Sequence, residues 1–275
     1  MSGIRSDPAR AAAACTAAGV PAPCRWLAAF RDPGAMRAWS VSEWETYIRM
    51  ARRLRLLGRL AETAAAAGML EVVPAAARRH LVAEQRYAAW RTRHLRWSLD
   101  RIGSTLAGLD SPLVLLKGAA YIGQGLAIGR GRLPSDIDIL VPHAHLDAAQ
   151  RRLAEAGWRE MKQDPHDQRY YREWSHELPP MQHPTHGLEL DLHHNILPPV
   201  ARVHVDAARL LERLQPCALS PWQVLHPADQ VLHAAAHLFH DVDLQDRLRD
   251  LVDLDALLRH FGSPSGLPGF WALLA

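Results

Sequence analysis

Two short segments in which acidic and apolar residues alternate constrain this chain more than anything else in it. Ile137–Val141, a strand candidate with the acidic pair Asp136 and Asp138 at its beginning, and Leu188–His194, with Glu189 and Asp191, each carry two carboxylates two positions apart. Side chains of a strand alternate between its faces, so Asp136 and Asp138 point the same way, and Glu189, Asp191 and His193 likewise share a face. The isoleucines and leucines between them turn to the opposite face, as they would in a strand that covers a core. Carboxylates crowded together repel and raise one another's pKa unless a cation compensates. A hard divalent ion with oxygen ligands, magnesium first, is the natural compensation. If the two strands are neighbours, the second brings a third carboxylate to the first pair. Asp191 is chosen for that role, with Glu189 as the alternative that spacing alone does not separate. Such a set would accommodate two magnesium ions about 3.5–4 Å apart.

The stretch before the acidic pair reads as Leu113–Leu116, a short apolar strand, followed by Lys117, Gly118 and a helix to about Leu126. Gly118 at a strand-to-helix junction would let backbone amides approach a phosphate with no Cβ in the way. Lys117 would act on a phosphate as a mobile point charge, and Arg132 as a two-pronged donor. For Gly118 a plain packing requirement is an equal alternative. A helix over Leu146–Ala156 ends at Gly157, and Arg169–Trp174 and Leu188–His194 are read as further strands of the sheet.

Helical periodicity dominates on both sides of this centre. One helix is expected from Val41 to about Gly68, capped by Ser40 or Ser42, and a second from Pro74 to about Leu109. Trp44, Tyr47, Trp90 and Trp97 recur at helical spacing and are assigned to the core in preference to base stacking. Beyond Pro198-Pro199, helices are expected over Ala228–Phe239 and Leu248–Phe261.

A content of 48% hydrophobic residues over 275 positions can fill a substantial core, so disorder is not the default expectation. The net charge of +3 is a small difference between 32 basic and 29 acidic residues, and the basic ones are dispersed. Nucleic acid is therefore not the favoured partner. Cys15, Cys24 and Cys217 form no CxxC spacing and are odd in number, which points to a reduced, cytoplasmic protein. No run of about 18 uncharged apolar residues is present, so no membrane-spanning segment is expected.

With Lys117-Gly118 followed by Arg132-Leu133-Pro134-Ser135-Asp136-Ile137-Asp138, the chain resembles the nucleotidyltransferase superfamily of DNA polymerase beta. The likeness is nearest to its bacterial branch with a Lys-Gly opening and an Arg-x-x-Ser-Asp-x-Asp core. Gly118-Ala119 replaces the widespread Gly-Ser opening, so a serine hydroxyl is missing there. The resemblance implies an α+β fold, a small mixed β-sheet flanked by N-terminal and C-terminal helical regions. The expected division is a flexible extension over 1–20, a helical region over 21–110, the nucleotidyltransferase-like core over 111–200 and a second helical region over 201–275. It also implies magnesium dependence and transfer of a nucleotidyl group from an NTP to a hydroxyl-bearing acceptor, either a small molecule or a macromolecule. Asp136, Asp138 and Asp191 would be catalytic and, with Glu189, metal-binding, while Lys117, Gly118, Arg132 and Ser135 would contact the nucleotide. A non-catalytic NTP-binding or partner-binding protein is one alternative. A metal phosphohydrolase using His233, His237, His240 and Asp241 is another.

Overall fold

The computed structural model describes residues 22–162, 164–240 and 247–274. The expected extension over 1–20 and the candidate ligand Asp241 lie outside the described residues. The chain divides into two compact units, Met1–Arg86 and Tyr87–Ala275.

In the first unit the described elements are α1 (Ala22–Ala28), α2 (Val41–Arg53), α3 (Leu57–Ala66) and the start of α4 (Ala75–Thr105). Ser40 caps α2 through a reciprocal pair: its hydroxyl accepts from the Glu43 N–H, and Glu43 Oε2 accepts from the Ser40 N–H. The single helix expected from Val41 to Gly68 is two helices. Arg55 adopts φ 56°, a left-handed conformation that costs a non-glycine residue about 1–2 kcal/mol, and the helix cannot pass through it. Leu56, Leu57 and Leu60 are almost wholly buried after that turn, and their burial is what holds it.

In the second unit α4 continues to Thr105 and is followed by β1 (Val114–Leu115), α5 (Lys117–Gly123) and β2 (Asp136–Leu140). Next come α6 (Leu146–Glu155), β3 (Arg159–Glu160), α7 (Pro165–Trp174), β4 (Met181–Gln182) and β5 (Glu189–His193). The remainder comprises α8 (Ala207–Leu211), β6 (Gln215–Pro216), β7 (Gln223–Val224), α9 (Pro227–His240), α10 (Leu248–Phe261) and α11 (Phe270–Leu274). Among the described residues seven strands form one mixed sheet in the order β3-β4-β5-β2-β1-β7-β6. Pairing is parallel for β2 with β5 and for β1 with β7, and antiparallel elsewhere. This is the α+β class expected of the sequence. Among the described residues no helix is long and apolar enough to cross a membrane.

The period-2 pattern of β2 and β5 decides where the core lies. Ile137, Ile139, Leu190 and Leu192, with Leu115 of β1, join one buried cluster that includes Leu95, Leu99 and Ile102 of α4 and Leu257 of α10. On the opposite face Val114, Leu116 and Leu140 pack with Ile196, Leu210 and Leu225. That second cluster covers only the C-terminal end of β2, so the half of the face carrying Asp136 and Asp138 is left to polar neighbours.

Two further expectations are corrected. Arg169–Trp174, read as a strand, lies in helix α7. Asp164 caps that helix by accepting from the His166 N–H at 2.8 Å, and Pro165 occupies its first turn. These start signals favour the helix, and the sheet position beside β5 is taken by β4. The other correction concerns the tryptophans. Trp44 and Tyr47 are buried as expected, whereas Trp90 and Trp97 are 47% and 43% exposed. They stack along α4 with His94, at centroid distances of 5.5 and 5.6 Å. Helical periodicity brings such rings into contact whether or not their face is covered.

Candidate active site

Parallel pairing of β2 and β5 sets Asp136 opposite Glu189, Asp138 opposite Asp191, and Leu140 opposite His193. Residues in register on adjacent strands project from the same face of a sheet, so all four carboxylates rise from one side. The structure therefore brings together Asp136, Asp138, Asp191 and Glu189. Lys117 reaches them from the first residue of α5, where it adopts φ 44°. A non-glycine residue held in that conformation at a cluster of charges is strain of the kind that functional sites retain. Its Nζ donates to Asp138 Oδ1 at 2.7 Å.

Asp138 is nearly fully buried and is the electrostatic hub. His193 Nε2 lies 3.1 Å from the same oxygen, Oδ1. Burial opposes ionisation of Asp138, but the Lys117 ammonium and the His193 contact outweigh it and hold the carboxyl well below the usual carboxylate range. Its neighbours move the other way. Burial, reinforced by the charge on Asp138, raises Asp136. Burial, reinforced by Asp138, Glu177 and Asp136, pushes Asp191 up to about 8. Asp191 Oδ1 is buried with no hydrogen-bond partner. A buried acceptor without a partner costs about 1–3 kcal/mol, and a bound cation would remove that cost. Three carboxylates on one face, one of them with an orphaned oxygen, are the donor chemistry that a hard divalent ion takes, although their oxygens do not all stand within ligand spacing of one another.

The remaining expected contacts are distributed around this centre. Arg132 is buried beneath it, ion-paired with Asp253 of α10, with its guanidinium 5.6 Å from the centre of the Tyr121 ring. Burial together with the nearby Arg249 lowers the Arg132 pKa, while Asp250 and Asp136 oppose that shift. Gly118 is packed against this side chain: a Cβ there would lie 2.6 Å from Arg132 Nε. The packing alternative for Gly118 thus has a definite partner. Ser135 and Glu189 line a cleft of about 520 Å³ with Arg159, Gln182, His183 and Gly187. Glu189 is tied to the rim, accepting from Gln182 Nε2 at 3.1 Å.

Several residues at the site escape sequence reasoning. Glu177 lies 3.3 Å from His193, and Tyr121, Asp250 and Asp253 surround Arg132. Glu177 and His176 sit in a loop with no periodicity to mark them. Asp253 is one of several acids on α10, and only tertiary packing distinguishes it. The histidines of α9 are also close by. Burial, aided by the Lys117 charge, depresses His233 and brings His237 down to about 4. His237 Nε2 accepts from Arg247 at 3.3 Å. Among the described residues, the one group of His, Cys, Asp or Glu with spacing suited to a metal is His176, Glu177 and His193, and none of the α9 histidines belongs to it.

A family model described as an uncharacterised nucleotidyltransferase matches residues 40–275, a span that contains every residue named above at the site. No curated protein and no solved structure gives a match. The matched span takes in most of the chain and the whole paired-strand carboxylate face, and the protein accordingly belongs to this nucleotidyltransferase family.

Proposed function

We propose that this protein transfers a nucleotidyl group from an NTP to a hydroxyl-bearing acceptor, using magnesium held by Asp136, Asp138 and Asp191. The observation that carries the reading is the in-register parallel pairing of β2 and β5, which aligns Asp138 with Asp191 on one face. Asp191 is preferred to Glu189 as the third carboxylate because its buried oxygen has no partner, whereas Glu189 already accepts from Gln182. Bound magnesium would neutralise the triphosphate and polarise the phosphoryl oxygens.

The chain's own residues supply the rest. Lys117 and His193 keep Asp138 ionised, so that carboxylate is ready to bind a cation at any ordinary pH. Burial and the neighbouring carboxylates favour the protonated form of Asp191, and magnesium would replace that proton, leaving the carboxylate to help orient or deprotonate the acceptor hydroxyl. In-line attack on the α-phosphorus would expel pyrophosphate. Ser135 lines the cleft beside β2 and is assigned to the triphosphate with the backbone at Lys117-Gly118. Arg132 contributes positive potential from beneath, steadied by Asp253. A cytoplasmic setting, where Mg-NTP is abundant, belongs to the same reading.

Incubation with each α-labelled NTP, magnesium and fractionated small-molecule, RNA and protein acceptors tests it by mass analysis of labelled products. A labelled product with pyrophosphate release is expected, reduced at least ~100-fold by Asp138→Asn. NTP binding without transfer to any acceptor class, or transfer that survives Asp138→Asn in a folded variant, would overturn it.

A further inference from the structure

The segment His176–Leu178 runs antiparallel beside the C-terminal half of β5. The Leu178 N–H donates to Leu192 O at 2.9 Å, the His194 N–H donates to His176 O at 2.9 Å, and Glu177 pairs with His193. This short ladder fixes three side chains of metal-ligating type together. One donor atom from each of His176, Glu177 and His193 lies within 4.8 Å of the other two. The two imidazole centroids are 5.4 Å apart. Glu177 Oε2 is 3.3 Å from His193 Nε2. An ion with bonds of about 2.0–2.1 Å in tetrahedral geometry has ligand-to-ligand edges of about 3.3 Å, so this pair already stands at the edge of such a polyhedron. The Nδ1 atoms of both histidines are buried and have no hydrogen-bond partner.

We propose that His176, Glu177 and His193 form a zinc site, distinct in ligand chemistry from the all-oxygen carboxylate face beside it. Two imidazole nitrogens and one carboxylate are a donor set for a borderline-soft, tetrahedral ion, and they disfavour magnesium, which requires octahedral oxygen coordination. Three protein ligands leave a fourth position open. The site is coupled to Asp138 through one atom: His193 Nε2 cannot both ligate a metal and donate to Asp138 Oδ1, 3.1 Å away. Zinc bound through Nε2 therefore removes that hydrogen bond and leaves Lys117 as the cationic partner of Asp138.

The test uses the full chain without nucleotide, so its outcome is independent of any transfer activity. Zinc is titrated calorimetrically against a large excess of magnesium, and Co²⁺ is used as a spectroscopic substitute whose visible d–d bands report low coordination and nitrogen ligation. One equivalent of zinc is expected to bind the wild type, with affinity reduced ~100-fold or more in His176→Ala and Glu177→Gln and retained in Asp191→Asn. Glu177→Gln preserves shape, so a thermal melt that matches wild type keeps its result interpretable if His176→Ala unfolds. Absence of zinc binding to the wild type, affinity unchanged by Glu177→Gln, or zinc lost in Asp191→Asn while Glu177→Gln keeps it would each overturn the proposal.

Discussion

Replacing Asp191 with asparagine removes a strongly perturbed titration from the site while keeping the side chain's shape. An ordinary aspartate titrates near 3.8, and in the folded chain burial and the charges of Asp138, Glu177 and Asp136 carry this one to about 8. Between those values the native protein holds a proton that the unfolded chain has released. The stability contributed by Asp191 is therefore full below about pH 4 and is lost as pH rises through 8. Each pH unit in that window costs about 1.4 kcal/mol, so the whole interval amounts to on the order of 5 kcal/mol. The amide in Asp191→Asn has no proton to lose and escapes that slope. In EDTA at pH 8 the variant should be more stable than wild type by roughly 3–5 kcal/mol, or about 10 °C in Tm for a chain of this size. Opposite contributions from Asp138 are common to both proteins and cancel in the difference. Added magnesium should raise the wild-type melting temperature and leave that of the variant nearly unmoved. Thermal melts from pH 5 to 9, with and without magnesium, read both effects. Equal stability of the two proteins at pH 8 in EDTA, or parallel pH slopes, would refute the reasoning.

Breaking the buried Arg132–Asp253 pair by Asp253→Ala should cost about 3–5 kcal/mol, because it leaves a guanidinium buried without its partner. Urea unfolding would measure this, and an apolar double replacement, Arg132→Met with Asp253→Leu, should recover most of the loss. Gly118→Ala should destabilise by about 1–3 kcal/mol, since its methyl would meet Arg132 Nε at 2.6 Å and that side chain is held in its ion pair. The same substitution in an Arg132→Ala background should cost much less, and a double-mutant cycle would detect the coupling.

Much of the carboxylate face is legible in the sequence because a period of two is a geometric instruction. Asp136 and Asp138 must share a face if they lie in a strand, and the apolar residues between them show which face is buried. Helices such as Leu248–Phe261 are likewise announced by their apolar repeat and found at the expected bounds. Register is different. Nothing local in DIDIL or ELDLH says that the two strands pair in parallel with Asp138 beside Asp191; that depends on how α6 and the strands between them pack. Glu177 and Asp253 are illegible for the same reason, because each acquires meaning only from a residue distant in sequence, His193 or Arg132. The Arg169–Trp174 segment shows the opposite failure. Its helix-start signals, Asp164 and Pro165, are present in the sequence but lie ahead of the segment read as a strand.

The claim on which the functional reading turns is that Asp136 and Asp138 bind nucleotide through a divalent ion. Equilibrium binding of a non-hydrolysable NTP, titrated with and without magnesium against the wild type and against Asp136→Asn and Asp138→Asn, addresses it most directly. The paired-strand carboxylates predict saturable binding that requires magnesium and is lost in both variants while their melts stay cooperative. Nucleotide binding indifferent to magnesium and to both substitutions, or no binding by the wild type, would contradict it.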